Sequence, residues 1–386
     1  MPKKDSELSQ DTMLVHDERH AEGSISPPVY QTSNFSFATY QSMVDRFRGD
    51  STQPVYSRVD NPTVSVLLDK IRRLEGGEAA AAFSSGMAAI SNTILSQVET
   101  GDRIVCVRHV YPDTYRLLKG VCARFGIASE FVDGTDLAAI ESALAGAKLL
   151  YLESPNTWMM EEQDIAAIAT LARARGVTTI LDNSWASPVF QQPLAAGVDV
   201  VVHSASKYIS GHSDVVAGLV VGSRAIIDGM HRDLTPYLGA KLSAQEAALL
   251  LRGLRTLPLR LRQHHKSGLV IAERLAQHDM VKRVHHPGLS RKSFSLLQGY
   301  GGLFSFELDE RVNIASFCDA LSVFRMAVSW GGHESLVMPA EVSMNQSGEY
   351  SAAVDFGVSP RMIRLFVGLE DPEDLWSDLS RALVFD

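Results

Sequence analysis

The sequence is poor in cysteine, and the spacing of its cysteines does not indicate that they pair or bind a metal together. Its 386 residues include three, Cys106, Cys122 and Cys318, with no CxxC or metal-ligand spacing. An odd number at such spacings argues against both a disulfide framework and a zinc site. We therefore predict no bound metal and a reducing compartment.

Signals for a membrane, for export and for nucleic acid are also missing. No apolar run approaches the roughly 18 residues of a spanning helix, so we predict no membrane partner. The stretch 1–23 is polar and lacks an apolar core, so we expect no secretory signal and a cytoplasmic location. The net charge of −9 argues against a nucleic-acid partner, because a surface that binds nucleic acid would be basic.

The sequence does contain an alternation of short apolar strands and helical patterns. Near-continuous apolar strands between helices predict an α/β fold with a mainly parallel sheet that is covered on both faces. We predict a large domain over 61–250 and a smaller α+β domain over 251–386. The helical stretch 244–278 is expected to bend or break near Pro258. Residues 1–60 are polar with weak periodicity, and we predict an extended arm that reaches a neighbouring subunit.

Polar side chains stand where several of these apolar strands end. Open α/β sheets bind ligands at the carboxyl ends of their strands, so these positions are candidates for a site. Lys207 lies in HSASKYISGH (203–212), directly after a valine-rich strand. On its own, a lysine in that place is usually a solvated side chain. The polar residues at the strand ends are Glu153, Asp182, Ser204, Ser206 and Lys207.

Three other features of the sequence favour a functional role for Lys207 over a solvated side chain. The motif SSGMAAI (84–90) leads into a helix whose free N–H groups favour an anion, although Ser-Gly before a helix is often only a cap. Asp182 follows the apolar strand TTIL, and it could cap the next helix or pair with a protonated ring nitrogen. Ser204 and Ser206 could add hydroxyl groups around one phosphate. A lysine amine, an anion cradle and a strand-end aspartate together predict pyridoxal 5′-phosphate (PLP) as the cofactor.

Five motifs, in order, resemble the Cys/Met-metabolism family of PLP enzymes, which includes cystathionine lyases, γ-synthases and methionine γ-lyase. The likeness extends from about residue 25 to about residue 380. It implies the PLP-dependent aspartate-aminotransferase-like fold (fold type I), a small amino-acid substrate, and a homo-oligomer whose dimers share sites and pair into a tetramer. The motifs are YSRVDNPT (56–63), SSGMAAI (84–90), LDNSWASP (181–188), SASKYISGHSD (204–214) and RGLRTLPLRLRQHH (252–265).

The resemblance assigns the residues around the cofactor. It implies that Lys207 forms the Schiff base and moves the proton, and that Asp182 pairs with the pyridine nitrogen. Tyr56, also catalytic, and Arg58 would reach the phosphate of the neighbouring subunit, a role that suits a guanidinium because it binds phosphate bidentately. Without the resemblance, Arg58 would be a surface ion pair. The phosphate ligands within the chain would be Gly86, Met87, Ser204 and Ser206.

The resemblance also assigns residues to the cofactor ring and the substrate. Tyr111, otherwise a core or turn tyrosine, would stack on the ring and serve as a catalytic acid. Arg364 lies in an apolar strand and would bind the substrate α-carboxylate, and an arginine in such a strand needs an anionic partner. Ser329 lies in the family's substrate loop, between Val328 and Trp330.

Within the family, the C-terminal half is most similar to the cystathionine β-lyase branch. The ESPtNP pattern of γ-lyases is missing, because Thr157 and Trp158 replace its asparagine and its final proline. Val328 departs from the β-lyase branch, which has a larger tyrosine there, and YSRVDNPT is closer to γ-lyases and γ-synthases. We predict a PLP-dependent lyase that cleaves a C–S bond and yields pyruvate and ammonia. The alternatives are a γ-lyase acting on methionine or on a substrate with a cationic distal group (cystathionine or canavanine type), a γ-replacement transferase, and a binding or scaffold protein.

Asp113 is the most informative departure from the family pattern. The sequence YPDTY replaces the common YGGTY and puts a carboxylate two residues after Tyr111. One interpretation is a helix N-cap before TYRLLKG. The other is a carboxylate that faces a cationic distal group of the substrate, such as an ammonium or a guanidinium-like group.

Overall fold

The computed structural model describes residues 8–16 and 23–384, so parts of the predicted arm and the last two residues lie outside the described chain. Within those ranges, no helix combines the length and the apolar character that spanning a membrane requires. The helices are α1 (Gln10–Val15), α2 (Tyr40–Arg48), α3 (Pro62–Glu75), α4 (Gly86–Leu95), α5 (Pro112–Arg116), α6 (Leu137–Ala143), α7 (Ile165–Ala174), α8 (Ser187–Phe190), α9 (Arg224–Asp233), α10 (Thr235–Leu238), α11 (Ala244–Ala276), α12 (Ile314–Ala320), α13 (Ala340–Met344), α14 (Ala352–Asp355) and α15 (Pro372–Ala382), with a π-helical turn at Leu117–Cys122 and 3₁₀ turns at Pro193–Ala196 and Pro287–Leu289.

A seven-stranded sheet organises the larger part of the described chain. Its strands are β1 (Ala79–Phe83), β2 (Arg103–Val107), β3 (Ala128–Val132), β4 (Leu149–Glu153), β5 (Thr178–Asp182), β6 (Val200–Ser204) and β7 (Gly218–Gly222). Their spatial order is β1-β7-β6-β5-β4-β2-β3. All neighbours are parallel except that β7 runs antiparallel to β1 and to β6. The carboxyl ends of the parallel strands therefore meet at one edge of the sheet.

Helices cover both faces of this sheet, which explains the near-continuous apolar strands. Tyr151 of β4 belongs to one buried cluster with Ile94 of α4. Its neighbour Leu150 points to the opposite face and belongs to another cluster with Ile168 of α7. The prediction of a mainly parallel sheet covered on both faces is confirmed.

A second, mainly antiparallel sheet follows the long helix α11. Its strands are β8 (Val281–His285), β9 (Leu303–Leu308), β10 (Arg325–Met326), β11 (Leu336–Pro339) and β12 (Met362–Phe366). The order is β10-β11-β12-β9-β8, and only β10 and β11 run parallel. The smaller α+β unit was predicted correctly, whereas the domain limits of 61–250 and 251–386 stay a prediction.

Helix α11 continues through Pro258, so the predicted break there is wrong, whereas the predicted bend stays a prediction. Pro258 has no N–H for the carbonyl of Leu254 and crowds the preceding turn. One residue before Leu254, the Gly253 carbonyl accepts from Arg260 Nη2 at 2.8 Å. Leu254 and Leu261 are fully buried in the core. They hold the helix in place before and after the proline.

The amino-terminal region divides into a docked part and an exposed part. Helix α1 packs on α3 and α11, Leu14 is fully buried, and Lys70 Nζ donates to the Leu14 carbonyl at 3.0 Å. This helix belongs to the core of its own chain rather than to an extended arm. Helix α2, in contrast, has no buried residue, and its Tyr40 and Phe47 are 85% and 69% exposed. Contact of the arm with a neighbouring subunit stays a prediction.

Candidate active site

Three parallel strands bring polar residues to one place. Strands β4, β5 and β6 end at Glu153, Asp182 and Ser204, and Glu153 lies opposite Asp182 in the register of the sheet. Lys207 follows in a tight turn, in which its N–H donates to the Ser204 carbonyl at 3.1 Å. Strand β6 is buried except at its last residue. The turn is therefore fixed to a rigid part of the core.

The amine of Lys207 is placed for nucleophilic use. Its Nζ donates to Ser329 Oγ at 2.8 Å and lies 5.5 Å from the ring centre of Trp330. Burial, and then the charge of Arg364, lower the pKa of Lys207 to about 8, against the opposing charge of Asp182. An appreciable fraction of such an amine is neutral near neutral pH, and only the neutral form attacks a carbonyl or accepts a proton.

The start of α4 forms an anion cradle beside this turn. The helix begins at Gly86, and the side chain of the N-cap residue Ser85 accepts from the N–H of Ala88 at 3.0 Å. A Cβ at position 86 would lie 2.9 Å from both Cβ and Oγ of Ser204. Only glycine therefore allows the helix end and the strand end to approach this closely. Free N–H groups at a helix N-terminus attract phosphate, and Ser204 adds a hydroxyl at the same point.

Two buried carboxyl groups lie side by side at the strand ends. Burial raises the pKa of Asp182, while hydrogen bonds from Ser184, one of them from its N–H at 2.9 Å, limit the rise. Burial, and then the charge of Asp182, raise the pKa of Glu153 to about 8. Glu153 accepts hydrogen bonds from the N–H of Tyr111 at 2.7 Å and from the hydroxyl of Thr157. Because two such groups resist double ionisation, a cation beside Asp182 would stabilise its charged form.

Asp113 is not a helix cap, so that interpretation is wrong. The N-cap position of α5 belongs to Tyr111, which makes no side-chain cap bond. The Asp113 carboxylate instead pairs with Arg116 at 2.7 Å and accepts from the Tyr111 hydroxyl at 3.0 Å. Burial, and then the charge of Asp113, raise the pKa of Tyr111, so this phenol keeps its proton. The sequence analysis missed Arg116, although a separation of three residues on a helix was an available signal.

Arg364 reaches the site from β12 of the second sheet. Its Nη2 donates to the Val328 carbonyl at 2.6 Å, and its guanidinium lies 5.7 Å from the ring centre of Trp158. Burial lowers the pKa of Arg364 to about 10. Its hydrogen-bond partners within the described chain are the Val328 carbonyl and the Met338 sulfur, and no carboxylate is among them. A desolvated guanidinium without a counter-charge is suited to bind an anion.

Most of the predicted site residues line one cavity of about 430 Å³. Asp113 and Val328 are not in its lining, and Val328 is 73% exposed and contacts Arg364 through its carbonyl. Tyr56 and Arg58 line a different groove, together with Lys241. The predicted residues in the lining are Gly86, Met87, Tyr111, Asp182, Ser204, Ser206, Lys207, Ser329, Trp330 and Arg364.

The site also depends on residues for which no role was predicted from the sequence, although Glu153 was among the strand-end candidates. Glu153 ends an apolar strand as Asp182 does, and that likeness was the available signal. Thr157 donates to Glu153, and Trp158 packs beneath Arg364. Both residues belong to an irregular segment with no periodic pattern, so the sequence offered no physical signal for their contacts.

These residues fit PLP. The partly neutral amine of Lys207 suits an aldehyde, the close approach of Gly86 and Ser204 suits a phosphate, and a protonated ring would stabilise the charged form of the buried Asp182, whose pKa burial raises. Within the described chain, no group of His, Cys, Asp and Glu residues could hold a metal ion. An open, mainly parallel sheet with these groups at its carboxyl edge defines a PLP-dependent enzyme of the aspartate-aminotransferase-like fold.

Known proteins place the chain more narrowly within this class. The family model for the Cys/Met metabolism PLP-dependent enzymes matches residues 11–384, and the chain belongs to that family. It is 40% identical to L-methionine gamma-lyase of Pseudomonas putida over 94% of this chain and 93% of that protein. It is 36% identical to cystathionine beta-lyase of Lactococcus lactis subsp. cremoris (strain MG1363), over 94% of both. A crystal structure of cystathionine gamma synthase from Xanthomonas oryzae pv. oryzae with cystathionine matches at a TM-score of 0.91 and 34% identity, over 97% of this chain and 98% of that one.

Family membership confirms the predicted cofactor, the enzymatic nature of the protein and fold type I. The chain is a PLP-dependent enzyme of a family of lyases and synthases. Its relatives include a β-lyase, a γ-lyase and a γ-synthase at similar identities. The relatives therefore share the PLP cofactor. They differ in substrate and in the bond that is cleaved, so these two properties have to be inferred from the residues of this chain.

Proposed function

We propose that this enzyme is a lyase that removes a sulfur-linked substituent from the side chain of an L-amino acid. The substrate that we propose is cystathionine, which is cleaved between Cβ and sulfur to give homocysteine, pyruvate and ammonia. The observation that carries the proposal is the amine of Lys207, with a pKa of about 8, in one cavity with Arg364 and Asp182. Elimination needs a base at Cα, an anchor for the α-carboxylate and an electron sink.

Arg364 provides the anchor in this proposal. The substrate α-carboxylate pairs with the guanidinium, and a carboxylate and a guanidinium can form two parallel hydrogen bonds. Burial around Arg364 strengthens such a pair because less water screens it. Arg364 is close enough to Lys207 to lower its pKa. A substrate held by its carboxylate therefore brings its Cα near the amine.

Lys207 moves the proton. Its neutral amine accepts the proton from Cα, and Ser329 Oγ, at 2.8 Å from Nζ, orients it. When bound, PLP supplies the sink for the electron pair left at Cα. Asp182 would pair with the ring nitrogen of the cofactor. The residues that would hold its phosphate within the chain are Gly86, Met87, Ser204 and Ser206.

The departing sulfur needs a proton, and Tyr111 is the candidate donor. Its pKa is raised, so the hydroxyl is protonated and can act as an acid but not as a base. The hydroxyl donates to Asp113 in the structure, so protonation of the leaving group requires that this hydrogen bond be exchanged. Lys207, once it holds the Cα proton, is the second candidate acid.

A γ-lyase is the second candidate function, and the 40% identity to a methionine gamma-lyase favours it. Val328 favours it too, because the resemblance associates valine at this place with methionine γ-lyases. A γ-elimination also moves a proton from Cβ, for which Lys207 is the candidate base, and Tyr111 and Lys207 are the candidate acids for the leaving group. A γ-replacement transferase is the third candidate, supported by the likeness to a cystathionine gamma synthase.

A cationic distal group on the substrate would need Asp113 as its partner. That carboxylate already pairs with Arg116 at 2.7 Å and accepts from the Tyr111 hydroxyl. A substrate cation would therefore compete with Arg116 for the same charge. The distal end of cystathionine carries a carboxylate beside its ammonium and has no net charge, so cystathionine need not displace Arg116 from Asp113. A guanidinium-like distal group with a net positive charge would have to displace it.

The proposed enzyme is a homo-oligomer with shared sites, a dimer that pairs into a tetramer. In one chain, Tyr56 and Arg58 line a groove apart from the cavity of Lys207, and the Arg58 guanidinium lies 5.2 Å from the Tyr56 ring centre. The two residues can complete that cavity only from a neighbouring subunit. The cysteines are free and buried, which supports the cytoplasmic location that we propose.

Product analysis tests these candidates. The holoenzyme is incubated with cystathionine, with methionine, with canavanine, and with an O-acyl homoserine plus cysteine. We expect homocysteine and pyruvate from cystathionine as the fastest reaction. Cysteine and 2-oxobutyrate from cystathionine would replace this proposal by the γ-lyase, and a condensed thioether from the acyl homoserine would replace it by the transferase.

A further inference from the structure

Trp158 has a backbone conformation that large side chains avoid. Its φ is +69°, in the left-handed region that is unusual for any residue except glycine and, less often, asparagine or aspartate. Proline, which the ESPtNP pattern has at this place, cannot adopt this φ because its ring fixes the angle near −65°. The backbone at position 158 therefore has a conformation that the proline of the ESPtNP pattern could not have.

The surrounding segment holds this conformation in place. Asn156 accepts from the N–H of Glu161 and donates to the Glu161 carboxylate, both at 3.0 Å. The N–H of Thr157 donates to the His109 carbonyl at 2.8 Å, and its hydroxyl donates to Glu153. Strained residues persist where their surroundings fix them, and they are frequent at functional sites.

The indole of Trp158 offers its ring face rather than its N–H. The residue is 2% exposed and packs with Ala340, Val358 and Met362. Its Nε1 is buried without a hydrogen-bond partner in the described chain, although a buried tryptophan N–H usually has one. Arg364 Cζ lies 5.7 Å from the ring centre, within the about 6 Å range of cation–π attraction.

This contact orients Arg364 without neutralising it. The ring face and the Val328 carbonyl, at 2.6 Å from Nη2, fix the guanidinium. A carboxylate in their place would compete with an incoming anion for the same charge. We infer that Trp158 is a positioning residue that presents the Arg364 guanidinium to the α-carboxylate of the substrate.

The inference rests on the proposed role of Arg364 as the α-carboxylate anchor. That role is the same in β-elimination, γ-elimination and γ-replacement, so the identity of the leaving group does not affect it. The inference concerns affinity for a carboxylate, and it can be measured without turnover.

The test compares two small amines on the holoenzyme. Glycine has an amino group and an α-carboxylate but no substituent to eliminate, and methylamine has the amino group alone. Their dissociation constants are measured by titration calorimetry for the wild type, Trp158→Phe and Trp158→Leu. We expect Trp158→Leu to weaken glycine binding about tenfold and to leave methylamine binding unchanged. Trp158→Phe keeps a ring face and should stay within about threefold for both.

Arg364→Lys is the reference variant, because a lysine cannot reproduce the planar fork of the guanidinium. Equal weakening of glycine and methylamine in Trp158→Leu would show a general structural defect and overturn the inference. Unchanged glycine binding in Trp158→Leu, with weaker binding in Arg364→Lys, overturns the inference and leaves the proposed anchor intact. Unchanged glycine binding in Arg364→Lys overturns both. If Trp158→Leu does not fold, Trp158→Met provides the same comparison without a ring.

Discussion

The two ends of the cavity are built from different kinds of structure. The cofactor end consists of strand termini and a helix start, represented by Asp182, Ser204 and Gly86. The substrate end consists of irregular segments, represented by Trp158 and Ser329, which meet a strand of the second sheet. Groups on the sheet edge are fixed by core packing, whereas loops vary more easily. In the proposed function, the groups that hold the cofactor lie on the rigid end, and the groups that contact the substrate lie on the end built from loops.

The largest effect that separates the two ends should come from Lys207→Ala. We expect a loss of kcat of at least about a thousandfold, because this change removes the proton acceptor and the nucleophile together. The measurement is the elimination rate on the best substrate, with the visible absorbance of the bound cofactor. The matched control is Lys282→Ala in the second sheet, where the lysine is exposed. Activity in Lys207→Ala similar to that of the control would contradict the site assignment.

Gly86→Ala should affect the cofactor end alone. The added Cβ would meet Ser204 at 2.9 Å and narrow the phosphate cradle, so we expect the Kd for PLP to rise at least about tenfold. At saturating PLP, the KM for the amino acid should change little. Gly229→Ala is the control, because a Cβ there meets nothing within 4 Å. Equal affinity for PLP in Gly86→Ala and Gly229→Ala would show that Gly86 is not part of the phosphate cradle.

The pH dependence of PLP capture tests the environment of Lys207. Only the neutral amine reacts with the aldehyde, and the pKa of Lys207 is lowered to about 8. The capture rate of the cofactor-free protein should therefore rise about tenfold per pH unit below 8 and level off above it. Stopped-flow absorbance gives this profile. A rate that continues to rise toward pH 10.5 would show a solvated lysine with an ordinary pKa.

Asp113→Asn should have the smallest effect on kcat/KM, and it tests the substrate end of the cavity. The lost ion pair with Arg116 is partly exposed, with 45% of the Asp113 side chain accessible, and such pairs stabilise by only about 0–1 kcal/mol. We expect kcat/KM for cystathionine to stay within about threefold. A loss of about a hundredfold for cystathionine, through its distal ammonium, or for canavanine would support the cationic-substrate hypothesis instead.

The sequence predicted the rigid end better than the variable end, for a physical reason. Asp182 and Lys207 follow apolar strands, and a buried strand that ends in a charged residue is visible in the pattern. The contact between Trp158 and Arg364 is long-range and depends on a left-handed φ, which no local pattern encodes. The rule that proline interrupts a helix also fails at Pro258, where the fully buried Leu254 and Leu261 hold the helix on the core before and after the proline.

Local rules also failed where tertiary contacts decide. The carboxylate of Asp113 is a plausible cap by type, yet its partner is Arg116 one turn later. Leu14, in a polar stretch, is fully buried because α1 lies on α3 and α11. The burial of Leu14 depends on neighbours that a single window of sequence does not contain, whereas Arg116 lies within the same window as Asp113 and could have been found from the sequence.

The most direct test of the account is to locate the cofactor on the chain. Sodium borohydride is added to the holoenzyme to fix PLP to the lysine that holds it, and the digested protein is mapped by mass spectrometry. The account predicts the phosphopyridoxyl mass on the peptide that contains Lys207. The same mass on a peptide with another lysine, such as Lys241 of the separate groove, would contradict it.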